Sequence, residues 1–340
     1  MKGRFKVAVV CTPLPDGDAL HSHTVLLARH LSEVSTVVSA DPVFVPPHEA
    51  ALKIALAGYD GFVVQHTWLL WGDDPRRVRT VLRAAAPLGP TVLHFHDPPF
   101  PTRSLGSWVR RRAQLWSIAK TIASADAVAC ALPASDATWL RHSRELLFLP
   151  SPSNFEGISV PPETAAPSWD IGIVPRREPS RRAVRVLRRI LDEAREVTGR
   201  EHTLLFVGRA SAEVYPQFRH LGAVGFTGEV SPASFAGSIS SIGVLLQPFE
   251  PVTTRSGAAA CAMSLGTPVV GVNAIGIEVS GASSGRARTE VIGKLLGRVL
   301  SDADWRLGIV ESQRAHYAAH LRWSVVSSRL ANALETLLIS

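Results

Sequence analysis

Residues 244–271 read VLLQPFEPVTTRSGAAACAMSLGTPVVG, and this stretch carries its own secondary structure. Val244-Leu245-Leu246 is a short apolar strand-like run, Gln247 to Pro251 is a loop marked by two prolines, and Thr253-Thr254-Arg255-Ser256-Gly257 leads directly into a helix. Ala258 to Met263 continues as a helix of tiny residues, Gly266 supplies its stop, Pro268 prevents its continuation, and Val269-Val270 begins another strand. Strand, helix and strand in this order imply a right-handed crossover between parallel strands. The small side chains let the helix lie close to the sheet and to whatever meets its mouth. There the amides of Ser256, Gly257 and Ala258, the Ser256 hydroxyl and the Arg255 guanidinium compose a cradle for an anion.

The same alternation continues on both sides. Strand-length runs rich in β-branched residues stand at Phe5 to Cys11, Val34 to Ser39, Gly61 to Gln65, Thr91 to Phe95, Ala127 to Ala131 and Leu146 to Leu149. Helix-length stretches separate them, as at Ala19 to Leu31, Pro75 to Ala86 and Ser104 to Ala123. Pro150 to Ser168 is dense in Pro, Ser and Gly and reads as a linker, after which the alternation restarts at Asp170. The pattern predicts an α/β protein of two Rossmann-like, doubly wound domains facing across a cleft, with ligands beyond the carboxyl ends of the strands. The expected boundaries are 1–160 for the first domain, 161–318 for the second and 319–340 for a closing amphipathic helix that packs back on the first domain.

Composition narrows the function classes. With 340 residues there is room for two domains of roughly 150 residues each. A net charge of +7 raises nucleic acid as a partner, but the basic residues form only short clusters such as Arg110-Arg111-Arg112, and no helix-turn-helix, zinc-finger or aromatic RNA-binding pattern accompanies them. Nucleic acid is therefore not expected as the main partner. Three isolated cysteines, the lack of a long apolar run and a short basic N-terminus point to a cytoplasmic protein without a transmembrane segment.

Several strand-to-helix turns carry candidate chemistry. Gly17, after the first strand, permits a close backbone approach at the start of the following helix, with an ordinary turn as the alternative. His94 and His96 share one face of the fourth strand by its period of two, and His96 at the carboxyl end is the candidate substrate contact. The spacing is superficially that of a metal pair, but no further ligand is evident, and no metal is expected. Arg176, Arg177, Arg181 and Arg182 flank the start of a helix at Ser180, a diphosphate environment or a solvated basic turn. Trp68 and Trp71 lie in a first-domain loop where they are candidates for stacking on an acceptor, or for plain burial.

The block from Val244 to Val270, with Phe226-Thr-Gly-Glu-Val230 upstream, resembles the donor domain of glycosyltransferases of the B fold, of the retaining family-4 type. The family pattern Glu-Ala-Met-Ala-x-Gly-x-Pro-Val-Val stands here as Cys261-Ala-Met-Ser-Leu-Gly-Thr-Pro-Val-Val270. Leu205-Phe-Val-Gly208, Ser124-Ala-Asp-Ala-Val128 and Trp323-Ser324 extend the resemblance along the chain. It implies a metal-independent, retaining transferase that moves a hexose from a nucleotide diphosphate sugar, a UDP-sugar foremost, to a small-molecule or polymeric acceptor. No cofactor is implied beyond the donor itself. Gly17, Arg176, Arg181, Arg255, Ser256 and Gly257 would hold the donor diphosphate, and His96 and Arg255 would carry catalysis. Thr253 and Cys261 occupy the places of the family's two donor-binding glutamates, and Glu250 is the candidate for the sugar contact from a shifted loop. The loss of both glutamates keeps two other readings open, a silent transferase-like partner protein and a nucleotide-sugar epimerase.

Overall fold

A computed structural model describes residues 4–15, 18–67, 70, 74–96, 105–133, 135, 137–140, 143, 145–158, 167–175, 181–208, 221–248, 252–276 and 285–339. The chain divides into two compact units, the first comprising Met1–Asn154 with Trp323–Ser340 and the second Phe155–Arg322.

In the first unit β1 (Phe5–Cys11), α1 (Ala19–Ser32), β2 (Val37–Phe44), α2 (Glu49–Ala55), β3 (Gly61–His66), α3 (Pro75–Ala85), β4 (Thr91–Phe95), α4 (Leu105–Ile122), β5 (Ala127–Cys130) and β6 (Leu146–Phe148) follow one another. The strands form one parallel sheet in the order β2-β1-β3-β4-β5-β6. The inner strands β3, β4 and β5 are buried on both faces, which is why they read as largely apolar runs. Val7, Val9, Val63 and Val92 pack on the α1 side, and Ala8, Val10, Phe62, Val64, Leu93 and Phe95 on the other. The chain order reverses between β1 and β3, so the carboxyl ends of β1, β3 and β4 flank the topological switch point where α/β sheets bind ligands.

The second unit begins at β7 (Trp169–Ile173) and continues through α5 (Arg181–Thr198), β8 (Leu204–Phe206), β9 (Val224–Phe226), α6 (Pro232–Ser240), β10 (Ile242–Gln247), α7 (Gly257–Leu265), β11 (Val269–Gly271), α8 (Gly285–Ser301) and α9 (Ala303–His316). Its parallel sheet runs β11-β10-β7-β8-β9. The reversal now lies between β7 and β10, and the loop after β10 leads straight into α7. Edge strand β11 is covered by a side chain: the buried Gln313 amide accepts from Val269 N–H at 2.8 Å and donates to Val269 C=O at 2.9 Å and Ile275 C=O at 3.0 Å.

One local expectation changes. β2 starts at Val37 and runs on to Phe44 through Asp41-Pro42. Val34 belongs instead to the turn closing α1, and Pro42 is tolerated because β2 is an edge strand that need not donate outward. Between α9 and the chain's last helix the helical path is interrupted. After α9 a π-helical turn spans Tyr317–Leu321, Arg322 is extended at φ −66° and ψ 144°, and α10 (Trp323–Ile339) starts afresh. The break falls where the chain leaves the second unit for the first. Trp323 anchors the return: it is fully buried, donates from Nε1 to Ser153 C=O at 2.8 Å, and stacks at 5.5 Å on His30. Val326, Leu330 and Leu334 of α10 join α1 in covering one face of the first sheet.

Candidate functional site

The α7 mouth in the second unit is built by capping. Ser256 has extended backbone geometry, and its Oγ accepts from Ala259 N–H at 3.3 Å, which satisfies one of the amides left open at a helix start. The same oxygen receives a bond from Gln247 Nε2 at 2.7 Å, tying the cap to the end of β10. Thr253 closes the preceding turn, its carbonyl accepting from Ser256 N–H at 2.9 Å. At the other end Gly266 adopts φ +82°, the left-handed conformation that stops a helix and that side chains disfavour.

Three properties make this mouth suited to an anion. The cap is a neutral hydroxyl, so the partial positive charge of the helix start is not offset by a carboxylate. Arg255 lies half-buried beside it. Among the described residues, a Cβ added at Gly257 would meet nothing within 4 Å, so space stands open there above the first helical residue. The start of α1, the counterpart in the first unit, differs: Asp18 caps it with a carboxylate, accepting from Leu20 N–H at 2.8 Å.

At the carboxyl end of β4 the structure assembles histidines. Gln65 of β3 and His94 of β4 are register partners on the α1 side of the sheet, and His96 follows on the same side, its N–H bonded to His66 C=O at 3.0 Å. His96 Nε2 is hydrogen-bonded to Gln65 Oε1. His23 of α1 completes the group, with ring centroids 4.8 Å from His96 and 5.7 Å from His94, while His94 and His96 are 4.2 Å apart. His23 and His94 are 5% and 2% exposed. Burial lowers His23 to about 4; burial and then the neighbouring His23 lower His94 to about 3, so both are neutral at pH 7. Among the described residues, His23 Nε2 and both ring nitrogens of His94 are buried with no hydrogen-bond partner. Each such atom costs on the order of 1–3 kcal/mol.

His23 was not a sequence candidate, although a signal for it existed. His23, Leu27 and Leu31 fall at i, i+4 and i+8 on α1, and the buried face they define carries the imidazole toward β4. The packing of α1 thus brings a third imidazole beside His94 and His96.

The remaining candidates separate sharply. Arg255, Ser256, Gly257 and Thr253 are brought together at the α7 mouth. Cys261 is corrected: it is wholly buried in the core of the second unit, on the helix face that packs inward, and serves packing rather than a ligand contact. Gly17, Trp68, Trp71, Arg176 and Glu250 lie outside the described residues, as does the side chain of Arg181.

No family model matches the sequence, and a search of curated proteins finds no match. Solved structures do match over nearly the whole chain. An α-glucosyltransferase in complex with UDP-glucose and DNA containing an abasic site is 9% identical at a TM-score of 0.63, covering 98% of this chain and 100% of that one. WaaG, a glycosyltransferase involved in lipopolysaccharide biosynthesis, is 13% identical at a TM-score of 0.58, with 96% and 99% covered. A UDP-N-acetylglucosamine 2-epimerase is 13% identical at a TM-score of 0.52, with 96% and 94% covered. The chain therefore has the two-domain α/β fold that glycosyltransferases of the B type share with such epimerases. Among the described residues no helix is long and apolar enough to cross a membrane.

Proposed function

We propose that this protein is a glycosyltransferase that moves a hexose from a nucleotide diphosphate sugar, a UDP-sugar foremost, to a small-molecule or polymeric acceptor. The observation that carries this reading is the α7 mouth: a neutral cap, Arg255 and open space above Gly257, placed after the switch-point strand of the second sheet. In this reading the α7 amides, the Ser256 hydroxyl and Arg255 stabilise the departing diphosphate, with Arg176 or Arg181 adding charge and Gly17 as a further phosphate contact. That arrangement does by fixed dipoles and guanidinium groups what Mg²⁺ does in metal-dependent transferases, so the proposed reaction is metal-independent and driven by orientation and electrostatics, with retention of configuration proposed from the family resemblance alone. His96 meets the donor sugar, Glu250 and Thr253 border it, and Trp68 and Trp71 receive the acceptor. The fold shared with solved glycosyltransferases supports the class.

The test is Arg255→Ala. Transfer and donor hydrolysis are expected to fall by two to three orders of magnitude, the scale of losing one fixed stabiliser of developing charge, with the melting temperature nearly unchanged. Unchanged turnover would overturn the assignment. Two specific observations favour alternatives. The epimerase fold match makes isomerisation the second reading, selected if donor incubated alone yields an isomer. Cys261 buried where relatives keep a glutamate favours a silent partner protein, selected if UDP, GDP and dTDP all fail to bind in calorimetry.

A further inference from the structure

We propose that His23, His94 and His96 form a binding site for a late first-row divalent metal ion, with Zn²⁺ the first candidate. The site goes beyond the transfer reading and uses the first unit alone, so either can fail without the other.

The geometry is near that of a coordination sphere. One ligand atom from each of the three rings lies within 4.8 Å of the other two. Tetrahedral Zn²⁺ with nitrogen bonds of about 2.0–2.1 Å holds its ligands about 3.4 Å apart, so the group needs to contract by at most about 1.4 Å, which side-chain rotation supplies. The rings sit on firm supports: His94 is central in a buried strand, and His23 is on the core face of α1, which packs on that strand's sheet.

Two further observations point to a ligand rather than to plain core packing. The nitrogens of His23 and His94 named above are buried and have no partner, an arrangement that an ion would resolve by accepting a lone pair from each ring. The His96 bond supplies an outer partner of the kind metal-bound histidines use. Gln65 Oε1 can only accept, so His96 Nε2 carries the proton and Nδ1 carries the lone pair. His96 is only half-buried, which leaves a fourth position for water. Three imidazoles suit Zn²⁺, Co²⁺, Ni²⁺ or Cu²⁺ and are a poor set for Mg²⁺, which takes oxygen ligands. The site is therefore unrelated in kind to the Mg²⁺ that assists diphosphate departure elsewhere. An ion seated here would engage His96 and compete with the sugar contact assigned to it under the transfer reading.

The full chain, stripped with a chelator, is titrated with Zn²⁺ by calorimetry and with Co²⁺ by visible absorption. One ion per chain at micromolar affinity or tighter, with Co²⁺ bands of four- or five-coordination, is expected, and Mg²⁺ should give no heat. His23→Ala and His94→Ala should each weaken Zn²⁺ binding by about 100-fold and Gln65→Ala by about 10-fold. His316→Ala controls for the helical pair His316 and His320, whose rings lie 4.9 Å apart, and should leave the affinity unchanged. Should the buried variants fail to fold, His96→Gln at the end of β4 decides, with a loss of about 100-fold expected. Absence of stoichiometric binding, binding that survives His94→Ala or His96→Gln, or loss of binding with His316→Ala would each overturn the site.

Discussion

The starts of α1 and α7 follow the first and fourth strands of their sheets, and they are capped with opposite electrostatic intent. Asp18 places a full negative charge on the mouth of α1, where its oxygen takes the Leu20 amide at 2.8 Å. Ser256 places a neutral hydroxyl on the mouth of α7 and is itself held by Gln247 at 2.7 Å. Both caps satisfy a helix amide, but only the second leaves the helix's partial positive charge for an outside anion. A glycine-bearing turn ahead of a helix is thus insufficient to define a phosphate site, because the charge of the cap decides what the mouth attracts.

The most severe way to break this comparison is to make the α7 mouth like the α1 mouth. Ser256→Asp keeps a competent cap, so the melting temperature should hold, while nucleotide diphosphate affinity should fall by at least about 100-fold, roughly 3 kcal/mol, through a carboxylate facing the phosphates. Calorimetry against UDP measures it, and retained affinity would remove cap charge as the deciding property. A smaller effect comes from Asp170, a carboxylate at the amino end of β7, far along the sheet from the α7 mouth. Burial pushes its carboxyl up, but the Arg200 guanidinium at 2.7 Å and the Thr203 amide at 2.8 Å outweigh this and hold it at about 2. Its folded value lies below the unfolded one, so its contribution is complete above about pH 4 and is lost as pH falls toward 2. Allowing for solvent screening around the half-exposed guanidinium, about 1–2 kcal/mol should disappear over that window. Urea midpoints between pH 5 and 2 should show this for the wild type and a flatter profile for Asp170→Asn, with nucleotide binding at pH 7 the same in both. The smallest effect is expected for Asp18→Ala, about 1 kcal/mol of stability from a lost cap, read as a lowered urea midpoint.

What was legible in the sequence follows from how local each feature is. The α7 mouth could be read from one stretch because its cap, its small helix and its Gly266 stop are consecutive, and each obeys a rule about its own backbone. The doubly wound pattern was legible for the same reason, since every buried strand is a contiguous apolar run. The histidine group was not, because it needs α1 laid against β4, and the two segments are separated by the whole of β2 and β3. Cys261 shows the converse limit: matching a pattern by position gave it a ligand's place, while the phase of α7 turns it into the core. β2 outran its expected end because edge position excuses Pro42, and edge position is a property of the sheet rather than of the segment.

The Gln313 side chain at β11 has a consequence for how copies of this protein meet. The outer rim of a parallel sheet is a row of donors and acceptors that another polypeptide can extend, and intermolecular strand addition begins at such rims. By presenting one N–H and one C=O to Val269, the amide imitates a single residue of an incoming strand and fills that rim from within the chain. This side of the second unit is thereby closed to accretion by its own fold, without a charge or a proline being spent on it.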